Sequence, residues 1–140
     1  MARLNVPARN GILDSGANGT WNNGKLCFYS GSRPATANLA PSGTKLWEED
    51  LPADAFAAAD SGAIAKAGTW SAAGVAAGDA GYGRFKASGD DDSLDGAFAR
   101  MDCTLTATGG GGEIVLDNVT IAIGQIATVN TFTVTLPAGS

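Results

Sequence analysis

The chain has 140 residues, a formal net charge of -5, 20 glycines and no histidine. This length is typical of a single domain that buries its own apolar core. The lack of histidine excludes the Ser-His-Asp and Cys-His nucleophilic arrangements and most zinc sites, and the arginines are too scattered for the basic cluster that a nucleic-acid backbone requires.

Residues 1–24 are predicted to form an N-terminal arm and loop ahead of the main domain. Residues 4–13 suit either one short helix opened by Pro7 or an extended arm. Residues 14–24 (DSGANGTWNNG) are so rich in Gly and Asn that they predict a loop without a regular element. Trp21 is predicted to plug the domain, because its ring offers a large apolar area, with a binding role as the alternative.

Residues 25–140 predict an all-β domain, an antiparallel β-sandwich of immunoglobulin-like or jelly-roll-like type. Short runs of β-branched and aromatic residues recur between Gly-rich turns, whereas an α/β domain would alternate them with helical patterns. Their spacing gives about seven or eight strands. The predicted strands lie at residues 25–29, 44–51, 65–71, 81–87, 97–106, 113–117 and 126–136.

The segment after the second predicted strand is ambiguous. Residues 52–66 are predicted to be an extended connection anchored by Phe56, with a helix as the alternative because Pro52 and the alanines suit a helix start. Trp47, in the strand before this connection, belongs either to the core or to an interface.

Residues 97–106 alternate in polarity, as expected of a strand with one face in the core. The face that carries Met101 and Cys103 is apolar and is predicted to be inward. Cys27 also lies in an apolar run, so both cysteines are predicted to be reduced core thiols. A disulfide between them is the alternative.

Residues 126–136 form the longest predicted strand, and its apolar residues change parity. Because a strand has period two, Val129 and Phe132 both face inward only if an extra residue intervenes. We therefore predict a β-bulge near Asn130 and Thr131. Beyond the bulge, the residues predicted inward are Phe132, Val134 and Leu136, and those predicted outward are Thr131, Thr133 and Thr135.

The acidic run Asp90-Asp91-Asp92, together with Asp95-Gly96, is the candidate metal site of the sequence. Counted from Asp90, the position where an EF-hand loop needs Gly is Asp95, so the pattern fails. The run is predicted to be a solvated turn, with a looser Ca²⁺ site as the alternative. Residues 109–112 (GGGG) lack the Lys-Ser/Thr that follows in a phosphate-binding loop, and they predict a hairpin turn.

The carboxylates of Glu48, Glu49 and Glu113 show no spacing that selects the pair of a glycosidase. The chain is therefore predicted not to be an enzyme and to hold no cofactor or metal. Residues 1–7 lack the apolar segment of a signal peptide, and no apolar run approaches the ~20 residues of a membrane span. These features predict synthesis in a cytoplasm and no membrane partner.

Several segments resemble a group of small proteins encoded among the structural genes of tailed bacteriophages. Residues 25–35 (KLCFYSGSRPA) are similar to that group's strand followed by G-x-R/Q-P-A, and residues 43–46 (GTKL) resemble its T-G-T-x-L strand start. Residues 80–85 (AGYGRF) resemble an A-G-x-x-R strand. The segments similar to the group's terminal L-x-L-x-N-x-x-I-x-x-G-Q-x-V-x-V-x-x-F pattern are residues 112–118, 123–125 and 128–136.

The resemblance implies a virion component of β-sandwich type, a capsid decoration or cement protein that binds the outer face of the major capsid protein shell. It implies a place on the capsid exterior and no catalytic residues. We also expect self-association as a dimer or trimer and no nucleic-acid partner. The candidate interface anchors, with the core as the alternative for each, are Trp21, Trp47, Phe56 and Tyr82, because interfaces favour aromatic residues.

Two other functions stay open. One is a head-to-tail or tail component of the particle. The other is a carbohydrate-binding module for host attachment, in which Trp47 beside Glu48 and Glu49, or Trp21 beside Asn22, would stack on a sugar ring. A solvent-facing Trp would support sugar binding, and a Trp covered by another chain would support assembly.

Overall fold

The computed structural model describes residues 2–94 and 96–135, apart from the side chains of residues 13 and 14. The described residues are mostly β, with a helix near the N-terminus. The elements are β1 Arg3–Leu4, α1 Val6–Trp21, β2 Lys25–Ser30, β3 Lys45–Asp50, β4 Ala63–Ala65, β5 Ser71–Ala73, β6 Gly78–Lys86, β7 Arg100–Ala107, β8 Ile114–Leu116, β9 Thr120–Ile121 and β10 Ile126–Thr135.

The strands form one curled, mixed sheet that resembles half a barrel. Its main order is β3-β2-β6-β7-β8-β10-β4, and β1, β5 and β9 pair with β7, β10 and β6. A bridge between Trp47 and Gly74 joins β3, at one edge of the sheet, to the chain just after β5. Because β5 pairs with β10 near the other edge, this bridge brings the two sides of the curled sheet together. The prediction of a mostly β protein is confirmed, whereas the two-layer antiparallel sandwich is not, because β7 and β8 run parallel.

The first half of α1 confirms a helix within residues 4–13, although it begins at Val6 and Leu4 lies in β1. Asn5 has extended backbone angles, and its side-chain oxygen accepts a hydrogen bond from the amide of Ala8 at 3.1 Å. Asn is a favoured helix cap because it satisfies one of the free amides of the first turn. Pro7 stands in that first turn, where its missing N–H costs nothing.

The second half of α1 shows that the loop predicted for residues 14–24 is wrong up to Trp21. Gly16 breaks the helix with a φ of 77° and a ψ of 179°, and the chain then resumes helical geometry. Only glycine adopts such angles easily, so one residue absorbs the kink. Beyond the kink, the side chain of Asn18 bonds both the amide and the carbonyl of Phe56, which fastens the helix to the sheet.

The N-terminal segment shares the core of the rest of the described chain. β1 pairs with β7 through Leu4 and Met101, and Ala8 and Trp21 belong to the same buried cluster as the strands. The boundary between residues 24 and 25 therefore does not separate two cores. It stays a prediction about sequence organisation.

The chain between β3 and β5 is partly as predicted. Residues 52–66 contain no helix and bury Phe56, which confirms the extended connection and its anchor. The predicted strand at residues 65–71 is wrong, because β4 ends at Ala65 and β5 begins at Ser71. Gly68 lies between them with a φ of 70°, a left-handed angle that interrupts an extended ladder.

The C-terminal strands confirm the parity argument. β10 pairs antiparallel with β8, and the register shifts between Val129 and Thr131, as the predicted bulge requires. Phe132 and Val134 are buried beyond the shift, and the described threonines of this part of β10 are exposed. Leu136, also predicted inward, lies outside the described residues.

The hairpin predicted for residues 109–112 is wrong. β7 and β8 are parallel, with Leu105 opposite Ile114, so the glycines lead the chain back along β7 before it turns again. Parallel neighbours ordinarily need a connection of a dozen residues or more. The left-handed φ angles of Gly109 (93°) and Gly111 (75°) permit the two reversals within this short link.

The core is aromatic. Trp70, Phe85 and Phe132 pack with Trp21 and Phe56 at ring-centroid separations of 4.9 to 6.1 Å. Tilted and edge-to-face pairs at these distances are favourable beyond their buried area. Cys27 and Cys103 are free and buried, which confirms the reduced-thiol prediction, and Cys103 packs inward with Met101 as its parity requires.

Gly81 is predicted to be intolerant of a side chain. A Cβ at this position would lie 1.8 Å from the carbonyl oxygen of Gly31, at the irregularity between β2 and β6. Gly81→Ala is expected to destabilise the fold by about 1–3 kcal/mol, measured by urea denaturation. The matched control is Gly96→Ala, whose Cβ would meet nothing closer than 3.9 Å, and a loss equal to that of Gly81→Ala would contradict this contact.

Candidate functional site

The outward face of β2, β6 and β7 is buried, although the alternation of these strands assigns polar residues to it. In register across the sheet, Cys27 lies opposite Arg84 and Arg84 lies opposite Asp102. Arg84, Asp102 and Arg100 are fully buried. We call the six charged residues on and above this face the ionic layer; they are Arg84, Lys86, Arg100, Asp90, Asp92 and Asp102.

The centre of the ionic layer is a two-pronged pair between neighbouring strands. Nε and Nη2 of Arg84 donate to the two carboxylate oxygens of Asp102 at 2.7 and 3.0 Å, and Nη1 reaches Asp92 at 3.3 Å. Burial alone would lower the pKa of Arg84, but the hydrogen bonds and charge of Asp102 raise it above its usual range. This fork geometry is the strong form of a guanidinium–carboxylate bond.

Arg100 ties two loops to the sheet. Its guanidinium donates to both carboxylate oxygens of Asp90 at 2.6 Å. It also donates to the carbonyls of Asn38, at 3.1 Å, and Ser93, at 2.7 Å. The loop after β2 and the loop after β6 therefore cover the face through one buried cation.

Asp92 completes the layer. Its carboxylate accepts hydrogen bonds from Lys86 at 2.8 Å and from the hydroxyl of Tyr29. Burial raises the pKa of Asp92, but the bonds from Lys86 and Tyr29 and the charge of Arg84 outweigh burial, so its pKa is lowered. Burial raises the pKa of the neighbouring Cys27 thiol to about 12, which keeps that thiol protonated.

The prediction of a solvated turn for the acidic run is therefore wrong for two of its three aspartates. Asp90 and Asp92 turn inward onto cations that the strands place beneath them, and Asp91 is the exposed member. Buried charges need such partners because a lone charge in the interior is strongly destabilising. Asp95, another member of this candidate metal site, lies outside the described residues.

All four candidate interface residues are buried within the chain. Trp21 and Phe56 lie in the aromatic core, and Trp47 stacks on Phe28 with ring centroids 4.1 Å apart. Tyr82 packs against Tyr29 beside the ionic layer. These positions agree with the alternative that all four residues belong to the core. None of them exposes an aromatic ring that could stack on a sugar or contact a partner.

The other predicted carboxylates are also engaged. Glu48 accepts a hydrogen bond from Lys45 at 3.1 Å, and Glu49 accepts one from the amide of Ser71 at 2.6 Å. Glu113 accepts from the amide and hydroxyl of Thr104. Within residues 2–94 and 96–135, no three His, Cys, Asp or Glu side chains gather as metal ligands, and no helix is long and apolar enough to cross a membrane.

Two apolar surfaces were not predicted from the sequence. A groove of about 410 Å³ lies between α1 and the chain around β4, lined by residues that include Ile12, Ile64 and Val134. At the other end of the sheet, Ile123 and Ile126 are 73% and 65% exposed. The parity of Ile126, opposite to that of Val129 before the bulge, was the signal for its outward position.

Comparisons of this chain with protein-family models, with curated proteins and with solved structures found no match.

Removing one carboxylate from the ionic layer is predicted to leave a buried cation without its partner. Asp102→Asn is expected to cost about 3–5 kcal/mol of unfolding free energy, the range for breaking a buried pair, in urea denaturation at pH 7. Asp91→Asn neutralises an exposed carboxylate of the acidic run and should leave the denaturation midpoint unchanged. Equal effects of the two variants would contradict the ionic layer.

The lowered pKa of Asp92 predicts a specific pH dependence. Because the folded pKa lies below the ordinary value of 3.8, the carboxylate stabilises the fold above that pH and loses its contribution as pH falls through the folded pKa. Asp92→Asn should therefore be less stable than the wild type at pH 6, and the difference should shrink towards pH 3. A difference that stays constant over this range would contradict the assignment. Asn suits the left-handed φ of 67° at this position.

Proposed function

We propose that this chain is a non-enzymatic structural protein of a tailed-phage particle that binds the outer face of the major capsid shell. The observation that carries the proposal is the position of the resembling segments. Four of these segments fall on β2, β6, β8 and β10. These strands are neighbours in the sheet, except that β7 lies between β6 and β8. The resemblance thus extends across neighbouring strands of one sheet. The proposal also includes the more specific fold that the resemblance implies, a two-layer antiparallel sandwich.

The charge distribution supports this role. The ionic layer contains three cations and three carboxylates, so the net charge of -5 belongs to the remaining, mostly surface, side chains. An acidic surface suits a position outside the shell, away from packaged DNA, because like charges repel. Many copies on one lattice, as self-associated dimers or trimers, would let modest contacts per copy add up along the shell.

The burial of the tryptophans bears on the alternatives. A carbohydrate-binding module built on Trp21 or Trp47 would need exposed rings, and both rings are buried. The head-to-tail or tail component remains the second candidate within the same particle. This candidate differs from the capsid decoration protein in the part of the particle that the chain would bind, and imaging distinguishes the two.

The decisive experiment adds purified protein to undecorated shells of the phage that encodes it, followed by cryo-electron microscopy. We expect density repeated over the outer lattice, and pelleting with the shells that saturates at a fixed number of copies per capsomer. Density confined to the portal vertex would support the head-to-tail alternative. Shells without added density, at protein concentrations far above that of the capsid subunits, would contradict the proposal.

A further inference from the structure

An exposed apolar cluster surrounds Gly74 at one end of the sheet. The amide of Gly74 donates to the carbonyl of Gln125 at 2.9 Å, and its carbonyl accepts from the amide of Gly124 at 2.8 Å. Val75 is the next residue along the chain, and Ile123 is bridged to Gly74. Ile126 begins β10 opposite Ala73, so all three apolar side chains start from neighbouring backbone.

These side chains are unusually exposed for their type. Val75 is 56% exposed, and Ile123 and Ile126 of the same cluster are also mostly exposed. β-Branched apolar residues are usually buried, and single exposed ones need no explanation. Here three such side chains surround one glycine, although the core of the same protein buries its large aromatic residues. Covering these side chains with a partner would remove apolar surface from water, which favours binding.

The charges around the cluster are mostly acidic. The nearby cation is Lys45, which precedes the Leu46 carbonyl that accepts from the amide of Val75, and its ammonium group is paired with Glu48 at 3.1 Å. Residues 67–83 and 101–135, which carry the cluster and most of its backbone partners, contain no Lys or Arg. The exposed acids among them are Asp79 and Asp117, whose side chains accept hydrogen bonds from Thr120 and Asn130. A surface whose excess charge is acidic, with carboxylates held by hydrogen bonds, attracts basic groups and repels a second acidic copy.

We propose that Val75, Ile123 and Ile126, flanked by Asp79 and Asp117, are the surface through which this chain docks on a protein partner whose contact face is apolar and bordered by Lys or Arg. The inference rests on the proposed function, in which that partner is the outer face of the shell. The apolar side chains supply the affinity and the two carboxylates supply orientation and rate of association.

The test uses undecorated shells of the encoding phage and three variants of the full chain. The first, Val75→Thr/Ile123→Thr/Ile126→Thr, keeps β-branched residues and removes apolar surface, and it should bind the shells at least about tenfold more weakly. The second, Asp79→Asn/Asp117→Asn, should bind with a weaker dependence on salt concentration than the wild type. The third, Val6→Thr/Leu94→Thr, alters exposed apolar residues elsewhere and should bind like the wild type.

The outcomes separate this inference from the proposed function. If the wild type fails to bind shells, the proposed function fails and this inference fails with it. If the wild type binds and the triple variant binds equally well, with its circular dichroism and unfolding midpoint unchanged, only the inference is overturned. A wild-type oligomer in analytical ultracentrifugation that the triple variant abolishes would make a second copy the occupant and would also overturn it.

Discussion

The pairing of buried cations with buried carboxylates is the constraint on which the arrangement of this molecule depends. A sheet with one face in an aromatic core ordinarily turns its polar face to water. Here Arg84 and Arg100 lie on that second face without exposure to solvent, so each needs a carboxylate at hydrogen-bond distance. The partner of Arg84 is Asp102 on the neighbouring strand. The partner of Arg100 is Asp90 in a loop, and this pair holds that loop over the sheet.

The sequence was sufficient where local geometry alone decides the outcome. Period-two parity located the bulge in β10 because no tertiary contact was needed to count residues between Val129 and Phe132. It was insufficient for the helix beyond residue 14, because Gly and Asn disfavour helices intrinsically. Tertiary contacts override that preference, among them the burial of Trp21 and the hydrogen bonds of Asn18 with Phe56. The parallel pairing of β7 and β8 was equally invisible, since four glycines suit a hairpin as well as a double reversal.

The candidate sites show the same division. Aromatic residue types identified the side chains with the largest buried area, but type alone does not separate a core from an interface, and Trp47 and Tyr82 proved to be core. The acidic run predicts a solvated turn because no sequence pattern links it to its partner cations on β6 and β7, although these lie only six to ten residues away along the chain. The outward position of Ile126 was predictable, because its parity is opposite to that of Val129 before the bulge, but it was not predicted.

The lack of Lys and Arg in β8, β9 and β10 also determines how these strands react with chemical reagents. After Arg100 the sequence contains no further Lys or Arg, so amine-directed labels and trypsin find no target on β8, β9 or β10. The carboxylate of Asp117 and the backbone amides of these strands are the groups that respond there. Carbodiimide coupling and hydrogen–deuterium exchange would therefore report on these strands, while lysine modification would report on β2 and β3, around Lys25 and Lys45.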